Sequence, residues 1–280
     1  MDESTALSHI GTLVDHAGDD AAVVDGQVIS IDMLHERTDF PDGVTRYTAG
    51  WRAVGATLSD LAAMGAKPVA AVAAYGAPSF DESELSDFVA GAQDVCEQVG
   101  TQYVGGDLDA HEEFTVATSA VGQADTPIRR SGANVGERVY VTGALGRTAA
   151  AIDAFEAGDM PRGNELFRFE PRVRAGCGLQ EEATAMIDSS DGLARSLHQL
   201  ANASDCGFDI NGSRLPIHPS LDSKDDRAWW FGEDFELVFT AANTFNPDDL
   251  AVPTTEIGAV TADAVRMDDS PLPDRGYDHG

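Results

Sequence analysis

The sequence predicts an α+β protein of two domains, and three observations carry that expectation. Its 280 residues exceed one minimal domain and divide naturally into two of about 140. Hydrophobic residues make up 42% of the chain, enough for a substantial core. Strand and helix signals mix without the strict alternation of a doubly wound parallel sheet. The boundary is expected near 124–146, giving domains of 1–135 and 136–280.

Residues 21–32 read as a β-hairpin, in which Asp25-Gly26 turns the chain between two apolar-rich runs. A helix follows over about 47–64, with Trp51, Val54, Leu58 and Leu61 on one face and Gly65 and Pro68 as its stop. A second helix over roughly 81–99 carries an apolar stripe through Leu85, Phe88, Val89, Ala92, Val95 and Val99, opposite acidic residues. Short strands are expected at 101–106, 113–122 and 138–142. The turn Gly143–Gly146 then leads into a helix of 147–157. Beyond it come a helix at about 171–184, a strand ending at Asp188 and a helix over 192–203. Strands at about 207–211, 235–241 and 256–260 complete the chain.

Composition excludes several function classes. The formal charge is −30, from 48 acidic against 18 basic residues, and Lys67 and Lys224 are the only lysines. The carboxylates are spread along the chain, which predicts a uniformly acidic surface suited to a halophile cytoplasm, where ~1 M salt shortens the Debye length to about 3 Å. Nucleic-acid binding is not expected, because no basic stripe could replace phosphate counterions. No membrane span is expected either, since no apolar run approaches the roughly 20 residues needed. The acidic start MDESTALSHI lacks the pattern of a signal peptide, so a cytoplasmic protein is expected. Cys96 continues an apolar helical stripe, and Cys177 and Cys206 have no partner spacing, which argues against disulfides. The seven histidines form no HxH or HExxH pattern, which argues against zinc.

The chemistry is expected from aspartates. A two-residue Asp25-Gly26 loop places Val24 opposite Gln27, Val23 opposite Val28 and Asp19 opposite Asp32, with Asp20 on the neighbouring diagonal. Three carboxylates at one hairpin mouth repel one another, and a cation would relieve them. A hairpin that frays before residue 20 leaves the same acids solvated, and the residues alone permit both readings. Asp60 points away from its helix's apolar face, which by default means solvent, although Ala56 and Ala63 leave room for a ligand. Asp107 follows Gly105-Gly106, either a plain turn or a close backbone approach to phosphate beside a metal ligand. Asp188-Ser189-Ser190-Asp191-Gly192 joins a strand end to a helix start, where Ser190 or Asp191 as an N-cap and a phosphate at the helix terminus are both readings. GxxxxGK[ST] and GxGxxG are both missing, so any triphosphate must be balanced by metal and a few arginines. Mg²⁺ suits that role, being shared between carboxylates and substrate phosphates. If the chain handles a triphosphate, several Mg²⁺ ions held by these aspartates would make it a phosphoryl-transfer site.

The segments GDDAAVV, SIDML, TLSDLAAMGA, VGGDL, RRSGANVGE, VYVTGALG, IDSSDGL, FGEDFEL and GYDH together resemble the thiamine-monophosphate kinases. That family belongs to the superfamily of aminoimidazole ribonucleotide synthetase and selenophosphate synthetase. The matches run in family order from about residue 18 to 279. The resemblance implies a two-domain fold with an N-terminal α/β domain whose sheet forms a homodimer, a C-terminal α+β domain, and active sites in the clefts between. It implies in-line, Mg²⁺-assisted transfer from ATP to thiamine monophosphate, giving thiamine diphosphate and ADP without a general base. By matching motifs, Asp20, Ser30, Ile31, Asp32, Asp60, Asp107, Asp188 and Asp191 are expected at metal sites. Gly105, Gly106, Asp107, Arg130 and Ser190 are expected to contact ATP, and Asp39, Glu233 and Tyr277 the thiamine end. With the acidity, the resemblance points to a halophilic archaeon.

Three positions depart from the family pattern. Ile31 stands where Thr is usual, so either its backbone carbonyl is the ligand or one metal is held differently. Asp39 stands where bacterial members often carry His, and Phe231 replaces a common glycine. Related selenophosphate synthetases use a reactive Cys or selenocysteine and a Lys near the N-terminus, and residues 1–50 contain no Cys or Lys. Hydrogenase-maturation relatives end in Cys, whereas this chain ends GYDHG. A non-catalytic nucleotide- or metal-binding module is the alternative of a different class.

Overall fold

In the computed structural model, residues 9–14 and 16–276 are described. Asp25 and Gly26 both adopt positive φ (50° and 77°), as a two-residue hairpin turn requires. They join β1 (Ala22–Val24) to β2 (Gln27–His35), with Val24 opposite Gln27 and Val23 opposite Val28. The ladder ends at Ala22–Ile29, so the expected pairing of Asp19 with Asp32 does not form. Asp19 turns away because the Arg129 guanidinium (2.5 Å) and the Arg130 amide (2.9 Å) take its carboxylate.

β2 pairs along its whole length with β5 (Thr115–Gln123), which pairs on its other side with β3 (Lys67–Ala77). β3 was not expected, because Pro68 and its many alanines hide the strand pattern. β4 (Tyr103–Ala110) lies parallel to β3 and closes the sheet order β1-β2-β5-β3-β4. The Gly105-Gly106 pair is therefore a bulge inside a strand and not a turn. The register slips there, Gly105 takes φ +134°, and a Cβ on Gly106 would lie 1.7 Å from Ala73 O.

The second sheet is built from later residues: β6 (Arg138–Thr142), β7 (Ala183–Asp188), β8 (Gly207–Ile210), β9 (Leu237–Ala241), β10 (Thr254–Thr261) and two short strands, β11 (Arg266–Met267) and β12 (Ser270–Pro271). Their order is β12-β11-β8-β10-β6-β9-β7, which with the mixed first sheet makes the chain α+β, as expected. The principal helices are α1 (Arg46–Ala63), α2 (Glu82–Gln98), α3 (Arg147–Glu156), α4 (Met160–Phe167), α5 (Val173–Gly178) and α6 (Leu193–Ser204). The helix expected over 171–184 shrinks to α5, since residues from Ala183 onward are drawn into the β7 ladder with β9. α4 was not anticipated, although Asp159 caps it through the Arg162 amide at 3.2 Å.

α1 was expected to bury one face, yet it is buried nearly all round. Small residues bring other backbones against it. A Cβ on Gly50 would lie 2.1 Å from Phe88 O, one on Gly91 1.9 Å from Tyr47 O, and one on Gly176 2.1 Å from Ala62 O. Thr118 Oγ1 donates to Ala53 O (2.8 Å), and Trp51 Nε1 donates to Phe169 O (2.6 Å). Contacts of both halves of the chain thus converge on one helix, whose last turn carries Asp60. Among the described residues no helix is long and apolar enough to cross a membrane.

This packing makes Gly91→Ala a sharp test, because its methyl group would meet backbone and not a movable side chain. We expect it to destabilise the chain by about 2–3 kcal/mol in denaturant titrations at constant potassium chloride. A change below about 0.5 kcal/mol would show that α1 and α2 do not touch there.

Candidate active site

Asp20, Asp60 and Asp188 come from three separate elements, and one carboxylate oxygen of each lies within 4.8 Å of the others. Asp20 is delivered by the segment before β1 and held by Arg130, whose Nη2 donates to Oδ1 (3.0 Å) and Nε to Oδ2 (3.3 Å). Only 1% of its side chain is exposed. Asp60 occupies the last turn of α1, where the helix dipole disfavours a negative charge. Ser30 Oγ, on the inward face of β2, donates to it. Asp188 ends β7, is buried, and accepts from Ser59 Oγ (2.6 Å) and the Ser190 amide (3.3 Å).

The electrostatics of this cluster are unbalanced. Burial, then Asp188 and Asp20, push the Asp60 carboxyl well above the ordinary range, with Asp32 adding to the effect. Burial and Asp20 likewise push Asp188 up against the pull of its hydrogen bonds. Burial opposes the Arg130 charge, yet Asp20, Asp188 and Asp60 raise its pKa. One guanidinium faces three carboxylates. Two charges no more than 4.8 Å apart repel by roughly 3 kcal/mol or more at an effective dielectric of about 20. An oxygen-only donor set with surplus negative charge fits Mg²⁺.

Of the remaining expected residues, Asp32 and Ser190 adjoin this centre, whereas β5 and β3 separate Asp107 and the glycine pair from β2. Asp32 is on the inward face of β2 with Ser30, and its Oδ1 accepts from the Met33 amide (2.8 Å). Ile31 points to the opposite, outer face and is 77% exposed, so its side chain is directed away from the carboxylates. Asp107 and the two glycines lie on β4, beside a cavity of about 460 Å³ shared with Tyr75, Phe88 and Tyr103. At the strand–helix joint, Gly192 and not Ser190 or Asp191 occupies the N-cap position of α6. A glycine there offers the first amides no side chain of its own, and a helix N-terminus favours an anion.

Asp39 and Glu233 line a second cavity of about 190 Å³ with Phe40, Ile152, Phe167 and Phe231. Asp39 Oδ2 accepts from the His35 amide (2.6 Å) and Thr38 Oγ1 (2.9 Å). Glu233, at φ +62°, is bound by buried Arg52 at 2.6 Å, and its amide donates to Ser190 O (2.6 Å). Tyr277 lies outside the described residues.

Sequence reasoning missed the residues that hold this scaffold. Arg52 donates to Phe167 O (2.7 Å) and Glu233 Oε2, and stacks 3.7 Å from the Phe167 ring centre. A lone arginine in the small-residue helix WRAVGATLSDLAA was the available signal. The other acids of FGEDFEL are structural. Asp234 accepts from the Gly146 and Thr148 amides at the start of α3, and burial pushes it up to about 7 against those bonds. Glu236 is gripped by Arg172 at 2.6 and 2.7 Å and by Thr142 Oγ1 at 2.7 Å.

Known proteins share this architecture. Residues 18–124 match the family described as AIR synthase related protein, N-terminal domain. The thiamine-monophosphate kinase of Halobacterium salinarum is 57% identical over 292 residues, covering 100% of both chains. That of Methanospirillum hungatei is 40% identical over 275 residues, covering 95% of this chain and 94% of its own. The solved structure of AaThiL complexed with AMPPCP and TMP superposes with a TM-score of 0.92 at 26% identity, over 100% of this chain and 97% of that one.

If carboxylate repulsion dominates the cleft, Asp60→Asn will unfold at a higher temperature than the wild type when chelator is present. The same variant will lose most of the stabilisation that Mg²⁺ gives the wild type. Thermal melts with and without Mg²⁺ check both expectations. An Asp60→Asn variant less stable than wild type in chelator, or equally stabilised by Mg²⁺, contradicts the reading.

Proposed function

The chain belongs to the thiamine-monophosphate kinases, and from that premise we propose that it moves the terminal phosphoryl group of ATP onto thiamine monophosphate, releasing thiamine diphosphate and ADP. The observation carrying this reading is the convergence of Asp20, Asp60 and Asp188 between the two sheets, beside an aromatic cavity edged by Asp39 and Glu233. Relatives named for this activity, and a likeness to a protein holding AMPPCP and TMP, support it.

Asp20, Asp60 and Asp188 would hold Mg²⁺, with Asp32, Asp107, Asp191 and the main chain at Ser30 and Ile31 as further positions. Bound there, Mg²⁺ supplies charge neutralisation for phosphate oxygens. Gly105 and Gly106 give ATP a side-chain-free stretch of strand, and Ser190 presents it with the start of α6. Arg130 holds Asp20 in place and adds positive charge beside the phosphates. Asp39 and Glu233 offer negative charge to the cationic thiazolium, while Phe40, Phe167 and Phe231 offer aromatic faces to its rings. Tyr277 joins this end by family resemblance. The acceptor phosphate is already anionic at neutral pH, so positioning and charge neutralisation suffice without a general base.

The assembly is a homodimer formed through the outer face of the first sheet. That face exposes Ile29, Ile31, Met33, Val72 and Val104, an apolar surface of the kind that marks contact sites. Residues 1–135 form the ATP- and metal-binding domain and 136–280 the second domain. The acidic surface suits a salt-rich cytoplasm.

A coupled assay should find ADP release that depends on thiamine monophosphate and Mg²⁺. Asp32→Asn is expected to keep its fold and lose more than ~100-fold in turnover, beyond what loss of an outer partner of a metal costs. Turnover within threefold of wild type at saturating Mg²⁺ would sink the metal role. Separately, Ile31→Glu should shift the protein from dimer to monomer in sedimentation, and an unchanged dimer would place the interface elsewhere.

A further inference from the structure

Away from the carboxylate cleft, basic side chains gather where α3 and α4 meet the segment 215–220. In so acidic a chain the grouping is unusual. Arg147 Nη2 donates to Glu165 O (3.2 Å), and its Nε is buried with no partner. The nearby acids are committed elsewhere: Glu236 to Arg172, Asp234 to the amides at the start of α3, and Glu165 to Arg162 at 2.7 Å. Arg147 forms no ion pair among the described residues, and Arg172 and Arg52 add repulsion to its burial. Arg162 Nη2 donates to Ser220 Oγ (2.8 Å), which leaves that hydroxyl's own proton to give. His218 Nδ1 accepts from the Ser220 amide (3.2 Å), so the neutral ring carries its proton on Nε2. Burial and the two arginines lower the His218 pKa, consistent with a neutral donor beside two cations.

We propose that Arg147, Arg162, His218 and Ser220 form a binding site for a phosphate group, distinct from the proposed metal cleft. Two guanidinium groups, an imidazole N–H and a hydroxyl supply the donors that a tetrahedral oxyanion takes, and guanidinium is the side chain best matched to phosphate. The ligand is inorganic phosphate or the phosphate of a small monoester. Arg147 begins α3, whose next residues Thr148 and Ile152 line the aromatic cavity, so an occupant of this site bears on the acceptor end.

Calorimetric titration of the full chain with inorganic phosphate, and separately with glycerol phosphate, tests this. Chelator removes any cation that could carry phosphate to the carboxylates, and potassium chloride holds ionic strength constant. One saturable site is expected for at least one probe, weakened about tenfold or more in Arg147→Gln and in Arg162→Gln, the loss expected for one charged hydrogen bond. The tighter probe identifies the source of the phosphate group. Asp60→Asn should bind as the wild type does. The proposal fails if neither probe binds saturably, if both arginine variants bind as wild type, if Asp60→Asn abolishes binding, or if chloride displaces phosphate at equal concentration.

Discussion

The backbone of α1 is approached from both sides, and the rest of the molecule is arranged around that constraint. Gly50, Gly91 and Gly176 remove the side chains that would hold α2 and α5 away. Arg52 reaches from the same helix to the 167–169 segment and to Glu233, while Trp51 ties its surface to Phe169. One rigid rod therefore sets the spacing between the first sheet, the second sheet and the cleft between them. Asp60, at its end, is placed by the same contacts that hold the halves together.

That placement runs against local electrostatics. A carboxylate at a helix C-terminus, beside two others and mostly out of water, is disfavoured three times over. Ser30, Ser59 and Arg130 offset part of the cost but leave negative charge in excess. Stability elsewhere sustains the strain: the Arg172–Glu236 pair, the Asp234 cap on α3 and the Arg52 bridge surround the cleft with satisfied bonds. A site so built is organised before any ligand arrives, which is what phosphoryl transfer by positioning requires.

Much of this was legible in the sequence where local chemistry decides the outcome. The Asp25-Gly26 turn, α2, β6 and α6 follow from turn residues and periodicity within a residue or so. β3 was not legible, because an alanine-rich run with Pro68 has no alternating pattern and is a strand only through its neighbours. The mouth of the hairpin was misjudged for a similar reason. Ladder geometry put Asp19 against Asp32, whereas Arg129 and Arg130, more than a hundred residues away, decide where Asp19 goes. Asp60 looked like a surface residue because periodicity reports one buried face, and α1 has several. The aspartates of the cluster were nameable from their motifs. Their shared burial and the structural duties of Asp234 and Glu236 depend on long-range contacts that no spacing reveals.

The most direct test of the central claim is anomalous diffraction from crystals grown with Mn²⁺, a substitute for Mg²⁺, and a non-hydrolysable ATP analogue. The account predicts a manganese peak bridged by the carboxylates of Asp20, Asp60 and Asp188, with the analogue's phosphates on its open side. A manganese peak elsewhere, with those three carboxylates bound only to protein groups or water, would contradict it.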